Sequence, residues 1–196
     1  VDGAPLARRR IGAALRHGVF LLPESRKEQG LVAQRSVREN VTMGNLAALS
    51  TLNWIHRRRE RRAAHRMLQR VGVQGDDSRS VTALSGGNQQ KVMFGRALQE
   101  QRRVLIADEP TRGVDVGSRR AIYELIVEQA GAGLAVLVIS SDVEEVLGLA
   151  HRVLVVRAGR IAAELTGDQL TEQNILTAAF AERGTDDADT GEEGAR

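Results

Sequence analysis

The hydrophobic pattern of this chain changes period several times, and each change marks an element. Val19-Phe20-Leu21-Leu22 is a short apolar run stopped by Pro23 and predicts a strand. Val104-Leu105-Ile106-Ala107, ending in Asp108-Glu109, and Ala135-Val136-Leu137-Val138-Ile139 predict buried parallel strands. Between them the spacing becomes helical. Ile11, Ala14 and Leu15 line a short basic segment over 8–17. Ala64, Met67, Leu68 and Val71 fall at i, i+3, i+4 and i+7, predicting an amphipathic helix over 54–71 that ends before Gly72. Val92, Phe94 and Ala97 follow a helix start at Ser85 and point to a helix running towards Gln101. Ile122, Leu125, Ile126 and Gln129 sit on a helix opened by Asp115 or Ser118 and closed by Gly131 and Gly133. Ser36 with Glu39, and Ser141 with Glu144, both fit the capping box that starts a helix. Segments 153–156 and 160–163 read as a hairpin about Ala158-Gly159, and 168–181 as a last amphipathic helix.

Strands alternating with helices predict an α/β fold: a partly parallel sheet flanked by helices, with strands 104–108 and 135–139 side by side. Residues from about Ser36 to Ala83 predict a helical lobe. The proposed division is 1–35 as a core fragment, 36–83 as the lobe, 84–181 as the remaining core and 182–196 as an acidic tail. The tail is rich in Gly, Asp, Glu and Thr, a composition that predicts disorder.

Composition narrows the chemistry. The 196 residues contain no cysteine, which excludes disulfides and thiolate metal sites. No apolar run approaches the roughly 20 residues that span a bilayer, and no secretory signal precedes the body. The expectation is a soluble intracellular chain whose membrane role, if any, comes through a partner. The net charge is +3, and the tail holds six acidic residues against two arginines, so residues 1–181 carry +7. Arg57, Arg58, Arg59, Arg61 and Arg62 crowd the outer face of the helix over 54–71. Without interleaved aromatics this reads as a solvated face rather than a nucleic-acid patch. The four histidines, His17, His56, His65 and His151, have no partner pattern and read as surface residues.

The candidate chemistry concentrates in 84–115. Ser85-Gly86-Gly87 opens a helix, where free N–H groups and the positive end of the dipole attract anions. Paired glycines remove the Cβ atoms that would hold a phosphate off the backbone. Ser85 is a preferred N-cap type and can also donate its hydroxyl to phosphate. Adjacent carboxylates at the carboxyl end of a strand, Asp108 and Glu109, suit Mg²⁺ and water activation beside a nucleotide.

Leu84-Ser85-Gly86-Gly87-Asn88-Gln89-Gln90 resembles the signature motif of ATP-binding cassette (ABC) ATPases. The run ending in Asp108-Glu109 resembles their Walker B motif, and Gly113-Val114-Asp115 their D-loop. The segment Pro23-Glu24-Ser25-Arg26-Lys27, with Gly30-Leu31, resembles the second cassette of bacterial ribose-, galactose- and xylose-type sugar importers. The resemblance implies a P-loop NTPase-like core with a helical subdomain, and ATP and Mg²⁺ as cofactors. It implies a head-to-tail dimer with a partner cassette, attached through permease subunits to the cytoplasmic face of the membrane. In it, Ser85, Gly86, Gly87, Asn88 and Gln89 contact the partner's nucleotide. Asp108 holds Mg²⁺, Glu109 polarises the attacking water, and Asp115 couples the two sites. Glu24 stands where the family places its Q-loop glutamine, and Ser141 where it places the switch histidine.

Two departures matter. No Gly-x-x-x-x-Gly-Lys-[Ser/Thr] sequence occurs, so the Walker A cradle is expected upstream of Val1. Serine at 141 cannot relay a proton as imidazole can, so the chain's own nucleotide site is expected to be impaired. The alternative is a soluble ABC protein acting on nucleic acid or the ribosome, supported by the arginine helix alone; direct nucleic-acid contact is not expected. A non-catalytic interaction module is a third reading, which the retained Asp108-Glu109 pair opposes.

Overall fold

The computed structural model describes residues 1, 3, 5, 6, 10–98 and 102–181. The expected disordered tail over 182–196 and the far end of the helix towards Gln101 lie outside these residues. The chain divides into two compact units, 1–142 and 143–196.

The first unit opens with helix α1 (Ile11–Arg16) and strand β1 (Val19–Leu22), followed by a single π-helical turn at Arg26–Gly30. Helix α2 (Val37–Thr42), a 3₁₀ turn and helix α3 (Leu46–Leu49) come next. Strands β2 (Ser50–Thr51) and β3 (Trp54–Ile55) form a small hairpin ahead of helix α4 (Arg57–Arg70). Helix α5 (Gly86–Ala97), strand β4 (Val104–Asp108), helix α6 (Val116–Gly131) and strand β5 (Ala135–Ile139) complete the unit.

The sheet order is β1-β4-β5, all parallel, with Val19 opposite Val104 and Asp108 opposite Ile139. Strands 104–108 and 135–139 are therefore neighbours, as their sequences predict. Leu22, Leu105 and Ala107 of the sheet, Val92 and Phe94 of α5 and Ile122 of α6 are buried almost completely. Helix α5 packs on β1 and on α2 and α4, which joins the helical segment to the sheet.

Two expectations need correction here. The amphipathic helix starts at Arg57, not at 54, because Trp54 and Ile55 are taken into the hairpin. Strand β5 is not buried: Leu137 is 51% and Ile139 46% exposed. Its apolar sequence suits a strand flanked on both sides, but β4 is its only neighbour among the described residues.

Helix α2 shows how local sequence sets a boundary. Ser36 Oγ accepts from the Glu39 N–H at 3.2 Å, and Glu39 Oε2 accepts from the Ser36 N–H at 2.9 Å. The backbone bond from Ser36 holds the Glu39 carboxyl below its ordinary value, aided by the Ser36 hydroxyl and by Arg35. Buried Asn40 then fixes the preceding loop, accepting from Val32 N–H and donating to the carbonyls of Val32, Arg35 and Ser36.

Ser36→Ala is expected to cost about 1 kcal/mol. A lowered carboxyl stabilises the fold above its unfolded value and loses that contribution as pH falls through the folded value. The gap in urea midpoint between the parent chain and Glu39→Gln should therefore be present at pH 7 and shrink on acidification. A gap independent of pH would contradict the cap.

The second unit contains helix α7 (Val143–Leu149), strands β6 (Arg152–Arg157) and β7 (Arg160–Thr166), a 3₁₀ turn at Gly167–Gln169 and helix α8 (Glu172–Phe180). Strands β6 and β7 pair antiparallel about Ala158-Gly159, both at positive φ as a two-residue hairpin turn requires. Val153, Val155 and Ile175 form its core with partly buried Val146, Leu147 and Leu165. Helix α7 begins at Val143, so Asp142 rather than Ser141 occupies its N-cap position. The Ser141 N–H donates to Glu109.

Candidate functional site

The carboxyl ends of β4 and β5 carry the first group of residues. Asp108 closes β4, and its carboxylate makes no hydrogen bond or ion pair among the described residues. A half-buried carboxylate without a partner suits a Mg²⁺ ion, which uses one or two carboxylates together with substrate phosphates. No group of three metal-ligating side chains occurs among the described residues.

Glu109 follows in a left-handed conformation, φ 45°. Such backbone costs of order 1–3 kcal/mol and persists only where the surroundings hold it. Here the Glu109 N–H donates to Ile139 O at 2.8 Å, and Glu109 Oε1 accepts from the Ser141 N–H at 2.9 Å. The carboxylate is thus aimed by the backbone at the end of β5. Ser141 reaches Glu109 through its main chain, and its side chain is exposed. The sequence signal for Ser141, a residue type at one position, gave no hint of this main-chain role.

The second group surrounds the start of α5. Ser85 Oγ accepts from the Asn88 N–H at 3.4 Å, an N-cap as its sequence predicts, and its own hydroxyl proton has no acceptor among the described residues. Gln89 Nε2 donates to Leu84 O at 3.1 Å and braces the turn before the helix. Gly87 is buried against α6: a Cβ there would meet Ser118 Oγ at 2.2 Å and Ser118 Cβ at 2.5 Å. Asp115 caps α6 by accepting from the Ser118 N–H at 3.0 Å, and that bond holds its carboxyl below the ordinary range. Gly86 also approaches the carbonyl of Gly113. The two helix starts, at Ser85 and Asp115, are therefore packed together.

Three residues to which the motifs assigned no role connect these groups. Gln90, almost fully buried, donates to Pro110 O at 2.8 Å and ties α5 to the loop after β4. Arg26 donates to the carbonyls of Arg112 at 3.1 Å and Gly113 at 3.2 Å. Arg112 forms an ion pair with Glu24. Glu24 thus meets the loop between Glu109 and Asp115, although some 85 residues separate it from that loop. A local motif cannot show such a pairing, because both partners are ordinary surface charges until the sheet brings the β1 and β4 ends together.

The chain is similar to several known proteins. A family model described as ABC transporter matches residues 1–112. The chain is 45% identical over 183 residues to the ribose import ATP-binding protein RbsA 2 of Burkholderia ambifaria, covering 92% of this chain and 36% of that protein. It is 43% identical over 180 residues to the ribose import ATP-binding protein RbsA of Geobacillus kaustophilus, covering 91% and 36%. The chain therefore spans about a third of the length of these relatives. Among solved structures, cbiO1 from Clostridium perfringens, part of the ABC transporter complex cbiONQ, superposes with a TM-score of 0.66 at 26% identity, over 83% of this chain and 63% of that one. MJ1267, an ATP-binding cassette of an ABC transporter, superposes with a TM-score of 0.69 at 24% identity, over 84% and 69%.

Proposed function

This chain belongs to the ABC transporter family, and on that premise we propose that it is part of an ATP-binding cassette coupling ATP binding and hydrolysis to sugar import. The observation that carries the reading is the packing of Ser85-Gly86-Gly87 on the Gly113–Ser118 segment, in one unit with Asp108 and Glu109. The names of the ribose import relatives favour a sugar as cargo.

In this reading Ser85 and the N–H groups of Gly86 and Gly87 bind the γ-phosphate of a nucleotide held by a partner cassette, while the Asn88 N–H is taken by Ser85 Oγ. Gln89 keeps that helix start in shape. Asp108 holds Mg²⁺ on the chain's own side, and Glu109, aimed by the Ser141 N–H, polarises the water that attacks phosphorus. Bound Mg²⁺ would neutralise charge on the phosphates. Asp115 couples the two nucleotide sites across the dimer, and the Glu24–Arg112 pair ties the loop after β1 to the loop that precedes Asp115. Permease subunits would hold the assembly at the cytoplasmic face of the membrane. No helix among the described residues is long and apolar enough to cross a membrane.

The 196 residues hold no phosphate-cradling Gly-x-x-x-x-Gly-Lys-[Ser/Thr] loop. The backbone cradle and lysine supply most contacts to the phosphates in such sites. The purified 196-residue chain, given saturating Mg²⁺–ATP, is expected to show no turnover that depends on Glu109. Robust hydrolysis abolished by Glu109→Gln would overturn the division of labour described here.

A further inference from the structure

The hairpin β2–β3 breaks two local rules at once. Its turn residues Leu52 and Asn53 are both left-handed, with φ of 50° and 66°. Such turns favour Asn-Gly, and a leucine there is strained. That leucine is also 89% exposed, and Trp54 beside it is 80% exposed. Both side chains lie at the hairpin turn and face solvent.

The helix that follows is as unusual. Arg57, Arg58 and Arg59 fill the first turn of α4, where the helix dipole disfavours cations. Arg61 and Arg62 extend the cluster. All five are exposed, and none forms a hydrogen bond or ion pair among the described residues. The one acid of α4, Glu60, is buried and accepts from Thr42 Oγ1 at 3.3 Å, so it does not neutralise them. Local rules broken together, with no compensating ion pair among the described residues, mark a surface shaped for a contact of its own.

We propose that the tip Leu52–Trp54 and the arginines at the start of α4 dock on an anionic lipid bilayer. A solvent-exposed apolar turn beside a basic cluster matches the apolar and anionic layers of a bilayer interface. Tryptophan favours the boundary between headgroups and acyl chains. Leu52 and Trp54 enter that boundary, while the guanidiniums meet lipid phosphates and keep their stems against apolar surface. Clusters of four to eight basic residues beside an apolar element are attracted to anionic leaflets. The proposal stands apart from the nucleotide chemistry, since none of these residues belongs to either helix start described above.

Trp54 is the sole tryptophan of the chain, so emission excited selectively from tryptophan, and not from Tyr123, reports on this turn alone. The test is titration of the 196-residue chain with vesicles of phosphatidylcholine, with and without half phosphatidylglycerol. Mixed vesicles should shift Trp54 emission to the blue and protect it from acrylamide, with partition at least tenfold stronger than for phosphatidylcholine alone. The shift should weaken as salt is raised. Inorganic phosphate at equal concentration should give no shift. The double variant R58E/R62E should lose about tenfold in partition, and Leu52→Asp should abolish the shift; circular dichroism confirms that both fold. Unshifted emission with mixed vesicles would overturn the proposal, as would a shift undiminished by R58E/R62E. A shift with a synthetic Glu/Leu peptide but not with vesicles would assign the surface to a protein and overturn it equally.

Discussion

Gly87→Ala is expected to cost about 2 kcal/mol of stability, the middle of the range for overpacking a well-packed site. The added methyl would lie 2.2 Å from Ser118 Oγ and 2.5 Å from Ser118 Cβ. Rotating the serine moves its Oγ but not its Cβ, which belongs to the first turn of α6. Either α5 or α6 must therefore shift, and Asp115 Oδ2, 3.4 Å from the same point, moves with them. The contrast with Gly30 is informative, since a Cβ there meets only the flexible end of Met93. Urea unfolding of the chain followed by circular dichroism checks the value: the midpoint should fall at unchanged slope. The double variant Gly87→Ala/Ser118→Gly should recover most of the loss, less up to about 1 kcal/mol for glycine in a helix. A single variant within 0.5 kcal/mol of the parent, the scatter of neutral surface changes, would show that the two helix starts are not tightly packed.

Under the proposed function, in a reconstituted transporter that carries this cassette, Gly86→Asp is expected to lower ATP turnover about a hundredfold. A carboxylate placed at the helix start would face the γ-phosphate of the partner's nucleotide. Two unit charges at 4 Å repel by roughly 4 kcal/mol at an effective dielectric of about 20. The Arg26 guanidinium lies 2.9 Å from the position of the new Cβ and would offset part of that. A residual of about 2.8 kcal/mol corresponds to two factors of ten. Glu109→Gln should cost less than tenfold. The carboxylate is well aimed, but residue 141 carries no imidazole, so under the proposed function this chain's own site is expected to contribute little to turnover. The check is the transport-coupled hydrolysis rate of each variant. Abolition by Glu109→Gln alongside tolerance of Gly86→Asp would reverse the assignment of the stronger site.

The two results would bear on different relations. Gly87 tests contact within the chain, between α5 and α6. Gly86 tests contact with a nucleotide that the chain does not itself hold. Agreement on the first and failure on the second would leave the fold intact and remove the function in trans.

The sequence by itself determined the local elements and the family. The capping box at Ser36 and Glu39, the cap at Ser85 and the strand Val104–Asp108 depend on residues within a few positions of one another. Short-range hydrogen bonds and hydrophobic period decide such features, and both are written into neighbouring letters. The motif spacing from Leu84 to Asp115 is local in the same sense. Tertiary structure alone decided what joins the motifs. Arg26 gripping the carbonyls of Arg112 and Gly113, Glu24 pairing with Arg112, and the Ser141 N–H aiming Glu109 all bridge residues far apart in the chain. It also decided that Trp54 leaves the helix for a hairpin and that β5 is an edge. In each case the deciding term is which strand or helix becomes the neighbour. An apolar run has the same sequence whether one side is covered or two, and a surface charge has the same sequence whether or not its partner arrives.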